Sequence, residues 1–308
     1  MKISVIGAGN VGATAANIIT LKKIVDTVVL VDIKEGFAEG KAMDIMQTAH
    51  IFGSNTTLIG TTGDYSQTKD SDIVIITSGI ARKPGMTREE LIGTNAKIVK
   101  GVMDECLRYS SKAIFIIVSN PADTLTYLAL QDSKLPRNRV IGMSGILDSN
   151  RFIYFLSQAI GCTPTDVDGM VIGVHGDLMV PLTSLASYKG IPVTQLLGEN
   201  ILADIVQKTK DGGGILTKLL GTSAWYAPGA SIAVMAEAII QNSRQLLPCI
   251  ALLEGEYGEK DVCAGVPIIL GKAGLEKIVN LPLTKEESKT FAKSVAAARL
   301  TNEKLKNI

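Results

Sequence analysis

The chain has 308 residues, 46% hydrophobic and 20% charged, which is the size of about two domains and the balance of a compact protein with a large core. Thirty-one Lys and Arg against 30 Asp and Glu give a formal charge of +1, and with no Lys/Arg cluster this excludes a nucleic-acid or polyanion surface as the basis of function. No stretch approaches the roughly 18 continuous apolar residues of a membrane helix, and Gly7, Asn10 and Gly12 break the first apolar run before it could serve as a secretory leader, so a cytoplasmic protein without membrane contact is expected.

The first half alternates strand-like and helix-like segments. Residues 3–6 form a short apolar run ending at Gly7, and 10–21 carry apolar residues at helical spacing. Residues 27–31 are a β-branched strand ending at Asp32; 36–48 read as a helix and 56–59 as a short strand. Residues 72–77 (DIVIIT) and 113–118 (AIFIIV) are continuous apolar runs, the pattern of strands buried on both faces, and 139–142 look like one more. This alternation predicts an α/β fold, a Rossmann-type doubly wound parallel sheet over residues 1–145 with right-handed crossovers. Residues 146–308 read as a mixed α+β substrate domain. Helices are expected at 147–161, 194–211 and 229–246, a strand at 168–174, and a late antiparallel hairpin from 252–257 and 262–270. A final amphipathic helix runs from 284 to about 306. It opens on a capping box, in which Thr284 can accept from the amide three residues on and Glu287 can reach back. No Pro/Ser-rich linker marks the boundary near 145, which is a topological assignment. The four cysteines, Cys106, Cys162, Cys249 and Cys263, form no C-x-x-C pair and no metal-spaced cluster, so buried free thiols and no metal are expected.

Gly7-Ala8-Gly9-Asn10-Val11-Gly12 is G-x-G-x-x-G. Glycines often punctuate a strand–helix turn without any ligand, so context decides. This motif follows a strand, opens a helix, and is followed twenty residues after Gly12 by Asp32 at a strand end. Gly7 permits the tight turn, Gly9 lets backbone approach a pyrophosphate, and Gly12 lets the helix pack closely on the sheet. The helix N-terminus offers its N–H groups to phosphate. Asp32 can accept from ribose hydroxyls and would repel a 2′-phosphate, which favours NAD over NADP.

Of the two histidines, His50 ends a predicted helix among undistinguished neighbours and reads as structural. His175, in Gly173-Val174-His175-Gly176-Asp177, has glycines around it that let a substrate approach. Asp148 and Arg151, i and i+3 at a helix start, can share one face. Each also has a plainer reading, Asp148 as a first-turn acid and Arg151 as a surface ion pair.

G-x-H-G-D, L-D-S-x-R and the glycine motif, in this order and spacing, resemble the lactate/malate dehydrogenase family. Further matches are Ala81 to Arg88 (ARKPGMTR), Val118-Ser119-Asn120-Pro121 and Gly221-Thr222-Ser223-Ala224. The resemblance covers essentially the whole chain. It implies that His175 is the proton donor and acceptor, Asp148 its orienting carboxylate, and Arg151 the partner of the substrate carboxylate. It also implies that Arg88 lies on a mobile loop and polarises the carbonyl, that Asn120 lies beside substrate and nicotinamide, and that Val118 and Asn95 are cofactor contacts. The chemistry suits these residue types: imidazole titrates near neutrality, and a guanidinium matches a carboxylate bidentately. The family's specificity position, six residues before Arg88, is Arg82. Glutamine there accompanies lactate and arginine accompanies malate, because a second enclosed carboxylate needs a partner. The resemblance therefore implies a small dicarboxylic acid substrate, malate or oxaloacetate, NAD as cofactor, and a homodimer or homotetramer. Lactate or a broad range of 2-hydroxy acids is the alternative substrate reading. A non-catalytic dinucleotide-binding module is the alternative from another class. One departure stands out: many relatives have glutamate where this chain has Val174.

Overall fold

The computed structural model describes residues 1–80 and 88–303. Six parallel strands form the first half: β1 (Lys2–Ile6), β2 (Thr27–Asp32), β3 (Thr57–Thr62), β4 (Ile73–Ile76), β5 (Ile114–Ile117) and β6 (Val140–Gly142). Their order is β3-β2-β1-β4-β5-β6. The helices between them are α1 (Asn10–Leu21), α2 (Phe37–Ala49), α3 (Arg88–Tyr109) and α4 (Ala122–Ser133). Because side chains alternate along a strand, the continuous apolar runs feed two separate cores. Val28, Leu30, Ile73, Ile75, Ile114 and Ile116 join the cluster containing α1 and α2. Val29, Val31, Val74, Ile76, Phe115 and Ile117 join the cluster containing α3 and α4. This is the doubly wound arrangement, and its strand order reverses between β1 and β4. A crevice is expected outside the carboxyl ends of the strands at that point, where Gly7 and Thr77 lie.

The second half contributes α5 (Gly145–Ile160), α6 (Glu199–Leu220), α7 (Tyr226–Ile240) and α8 (Lys285–Glu303), with strands β7 (Gln245–Glu254), β8 (Lys260–Gly271) and β9 (Gly274–Ile278). The expected hairpin is longer than its sequence signal. It also does more than fold on itself. Strand β7 pairs antiparallel with β6 through Ile250 and Gly142, so β7, β8 and β9 extend the parallel sheet to nine strands.

Three further elements depart from expectation. The helix expected over 229–246 ends at Ile240; Asn242 and Arg244 adopt positive φ and turn the chain into β7. The strand expected over 168–174 is two short strands, Val167–Asp168 and Val171–Ile172, in different small sheets. Gly169 parts them where the chain crosses Phe152 closely. The helix expected over 194–211 is split: a single helical turn at Val193–Leu196 is followed by α6, which begins at Glu199 and runs on through Gly212, Gly213 and Gly214 to Leu220. Glycine costs roughly 0.5–1 kcal/mol per helix-interior position relative to alanine, so packing of α6 on α5 outweighs propensity here. At α8 the capping box forms on both sides: the Glu287 amide donates to Thr284 Oγ1 at 3.1 Å, and the Thr284 amide donates to Glu287 Oε2 at 2.9 Å. Among the described residues, no helix is long and apolar enough to cross a membrane.

Candidate active site

The first part of the site is the turn from β1 into α1. Gly7 has φ +108°, a region that glycine alone enters freely. Gly12 is fixed by proximity: a Cβ there would stand 1.9 Å from the Gly7 carbonyl oxygen. By contrast nothing lies within 4 Å of the position a Gly9 Cβ would take, and Gly9 and Asn10 face open space. No side chain caps α1 at Gly9, so the first-turn amides are left for a ligand. The Asp32 carboxylate stands at the end of β2 and braces this turn, accepting from the Ala8 amide at 2.7 Å and the Lys34 amide at 3.0 Å. Val11 packs against the core beneath. A pyrophosphate fits this cradle, which pairs a helix N-terminus with backbone free of side-chain cover. The carboxylate at Asp32 retains lone pairs for ribose hydroxyls.

The second part stands where α5 meets the loop after Ile172. Asp148 lies in the first turn of α5, 2% exposed, and its two oxygens are divided. Oδ1 accepts from Arg151 Nη1 at 3.0 Å; Oδ2 lies 2.8 Å from His175 Nδ1. A carboxylate only accepts, so Nδ1 carries the proton of that bond and Nε2 remains for the cleft. The imidazole is 25% exposed. Burial disfavours its charged form, but the charge and hydrogen bond of Asp148, with the charge of Asp123, outweigh burial and hold its pKa above the usual histidine value.

The backbone around His175 is fixed independently of the ring. The His175 amide donates to Asp123 Oδ2 at 3.0 Å and the Val174 amide to Ser294 Oγ at 2.9 Å, while Gly173 and Gly265 exchange two backbone hydrogen bonds. Asp123 is a site residue that sequence reasoning misses. It is 3% exposed, burial pushes its carboxyl up to about 6, and its Oδ1 has no partner among the described residues. Its only local signal is an acid in the first turn of α4; its partner lies 52 residues further on.

These two parts face one cleft of about 520 Å³. Gly9 to Gly12, Asn95, Val118, Asn120, Arg151 and His175 line it together; the second half adds Ser223, from the Gly221–Ala224 match, together with Thr217 and Trp225, which sequence reasoning does not single out. Asn95 lines the cleft with its amide already engaged: Oδ1 accepts from the Ile80 amide at 2.8 Å and Nδ2 donates to the Asn120 carbonyl at 2.8 Å. Asn120 is exposed and precedes a cis peptide to Pro121. His50 lies at the C-terminal end of α2, outside the residues lining the cleft. Arg82 lies outside the described residues; Arg88 is the first residue of α3, and the placement of its side chain is likewise outside them.

Residues 1–142 match the family described as lactate/malate dehydrogenase, NAD binding domain, and residues 146–307 the one described as lactate/malate dehydrogenase, alpha/beta C-terminal domain. A malate dehydrogenase of Parabacteroides distasonis is 59% identical over 308 residues, covering 100% of this chain and 98% of the relative. Among solved structures, malate dehydrogenase from Salinibacter ruber superimposes with a TM-score of 0.96 at 41% identity, covering 100% of this chain and 98% of that one. Lactate dehydrogenase from Cryptosporidium parvum, complexed with lactic acid and nicotinamide adenine dinucleotide, gives 0.95 at 38% identity over 100% and 98%. Backbone shape therefore does not separate the two activities.

Proposed function

This chain belongs to the lactate/malate dehydrogenase family, and from that premise we propose that it is an NAD-dependent malate dehydrogenase, interconverting (S)-malate and oxaloacetate. The observation that carries the reading is the single Asp148 carboxylate holding Arg151 and His175 in one cleft with the glycine cradle. When bound, NAD would supply the acceptor for the hydride of the substrate carbinol carbon, and its reduced form the hydride donor for the reverse reaction. His175 Nε2 takes the hydroxyl proton as the carbonyl forms, and gives it back in reduction. Asp148 keeps the proton of Nδ1 in place and stabilises the imidazolium, as in other His/Asp pairs. Arg151 takes the carboxylate beside the reacting carbon, and Asn120 lies beside substrate and nicotinamide. Gly7, Ala8, Gly9, Asn10, Val11 and Gly12 take the pyrophosphate, Asp32 the ribose, and Val118 and Asn95 complete the cofactor wall. Arg88 polarises the carbonyl and Arg82 pairs with the second carboxylate, roles carried over from the family pattern.

Malate is favoured over lactate by Arg82 together with the full-length similarity to malate dehydrogenases. An arginine enclosed without a partner, or an enclosed second carboxylate without one, costs several kcal/mol. Arg82→Gln is accordingly expected to lower the ratio of kcat/KM for oxaloacetate over pyruvate by about 100-fold, equivalent to about 3 kcal/mol. An unchanged ratio in steady-state assays refutes the assignment of Arg82.

The pH profile tests Asp148. Reduction needs protonated His175, whose pKa is held up by Asp148 against the opposing effect of burial. Removing that charge in Asp148→Asn lowers the pKa, so the fall of oxaloacetate reduction with rising pH should begin at lower pH than in wild type. A midpoint that stays put or moves alkaline argues against this role.

We further propose that residues 1–145 form the NAD-binding unit and 146–308 the catalytic unit, and that the enzyme works in the cytoplasm as a homodimer or homotetramer. Free thiols at all four cysteines suit a reducing compartment. Self-association is supported by apolar side chains left open on α2 and the turn after it, with Met43 66%, Ile51 75% and Phe52 58% exposed. A sedimentation mass equal to the single chain's 32.6 kDa contradicts it.

A further inference from the structure

Helix α6 carries three consecutive glycines in its interior, and the three differ in what they face. A Cβ on Gly214 would meet nothing within 4 Å. A Cβ on Gly213 would lie 3.8 Å from Arg151 Nη1, an ordinary contact. A Cβ on Gly212 would lie 3.2 Å from Arg151 Cδ and 3.7 Å from its Nε, so the arginine would have to give way by a few tenths of an ångström. Gly212 is buried, and Arg151 Nε is buried against this stretch with no hydrogen-bond partner among the described residues. The arginine thus lies on bare helix backbone along one side and is tied to Asp148 by Nη1 on the other.

We propose that Gly212 and Gly213 are positioning residues: they form a side-chain-free floor that sets the pose of the Arg151 guanidinium and so the seat of the substrate carboxylate. The inference rests on the reading of Arg151 as the carboxylate partner. It also accounts for why a helix keeps residues poorly suited to its interior at the turn that passes Arg151. A methyl at 212 lifts the guanidinium from its floor and shifts it relative to both Asp148 and the incoming carboxylate. Small misplacements of a binding group have large kinetic costs.

The test separates helix propensity from arginine placement. Gly214→Ala is expected to raise Tm by about 2 °C and to leave KM for oxaloacetate as in wild type. Gly212→Ala is expected to raise that KM about tenfold with NADH affinity unchanged and Tm not lowered. In an Arg151→Ala background the same Gly212→Ala change is expected to have no further effect on kcat/KM, because its effect passes through Arg151. A wild-type KM in Gly212→Ala overturns the proposal, and so does a full-sized loss in the Arg151→Ala background. Should Gly212→Ala fail to fold, Gly213→Val carries the test: its branches would extend into the 3.8 Å left between that position and Arg151 Nη1, so a rise in KM is expected and an unchanged KM contradicts the proposal. Arg151→Ala alone reports on the underlying reading: if it leaves KM for oxaloacetate unaltered, the carboxylate assignment fails rather than the floor.

Discussion

Replacing His175 with asparagine is expected to lower kcat about 10³-fold in both directions while leaving NADH affinity near that of wild type. The magnitude is that of a lost general acid–base group, about 10²–10⁴. The selectivity follows from how the loop is built. The amides of Val174 and His175 are held by Ser294 and Asp123, and Gly173 by Gly265, so the loop keeps its course without the ring. On the proposed reading, cofactor affinity resides largely in the glycine cradle and Asp32, on other elements. Fluorescence titration with NADH and stopped-flow turnover measure the two quantities separately. Turnover within tenfold of wild type would remove His175 as the proton carrier.

The second large effect is expected at Arg151. In Arg151→Lys the charge survives but the planar fork does not, and lysine cannot serve Asp148 and a substrate carboxylate with the same geometry. Breaking a largely enclosed charge pair costs about 3–5 kcal/mol, so kcat/KM for oxaloacetate should fall about 10³-fold. Most of the loss should appear in KM, since the carboxylate is held in ground and transition states alike. Asp148 also loses part of its anchoring, so kcat should fall by a lesser factor. An unchanged KM with a collapsed kcat would reassign Arg151 from binding substrate to supporting the His175–Asp148 pair.

Local chemistry makes part of this site legible in the sequence alone. The turn at Gly7–Gly12 and the acid at Asp32 act within one β-α-β unit, so their spacing along the chain reports their spacing in space. Asp148 and Arg151 are legible for the same reason, being one helical turn apart. The pairing of Asp148 with His175 spans 27 residues and has no local signal; the family pattern supplies it. Asp123 has only the unspecific signal of a first-turn acid and no place in the family pattern quoted, because its partner is a backbone amide and any residue type but proline could stand opposite it. The fold shows the same division. Apolar runs at 73–76 and 114–117 announce buried strands, but the docking of β7 on β6, which joins two halves in one sheet, is a long-range pairing with no sequence period. The course of α6 through three glycines is not legible because packing on Arg151 and α5, not propensity, decides it.

Steady-state NADH oxidation by the unmodified chain, with oxaloacetate and pyruvate compared as kcat/KM, tests the central claim most directly. On the proposed pairing of Arg82 with a second carboxylate, oxaloacetate should be favoured by about 100-fold or more. Equal or better use of pyruvate would contradict the assignment to malate.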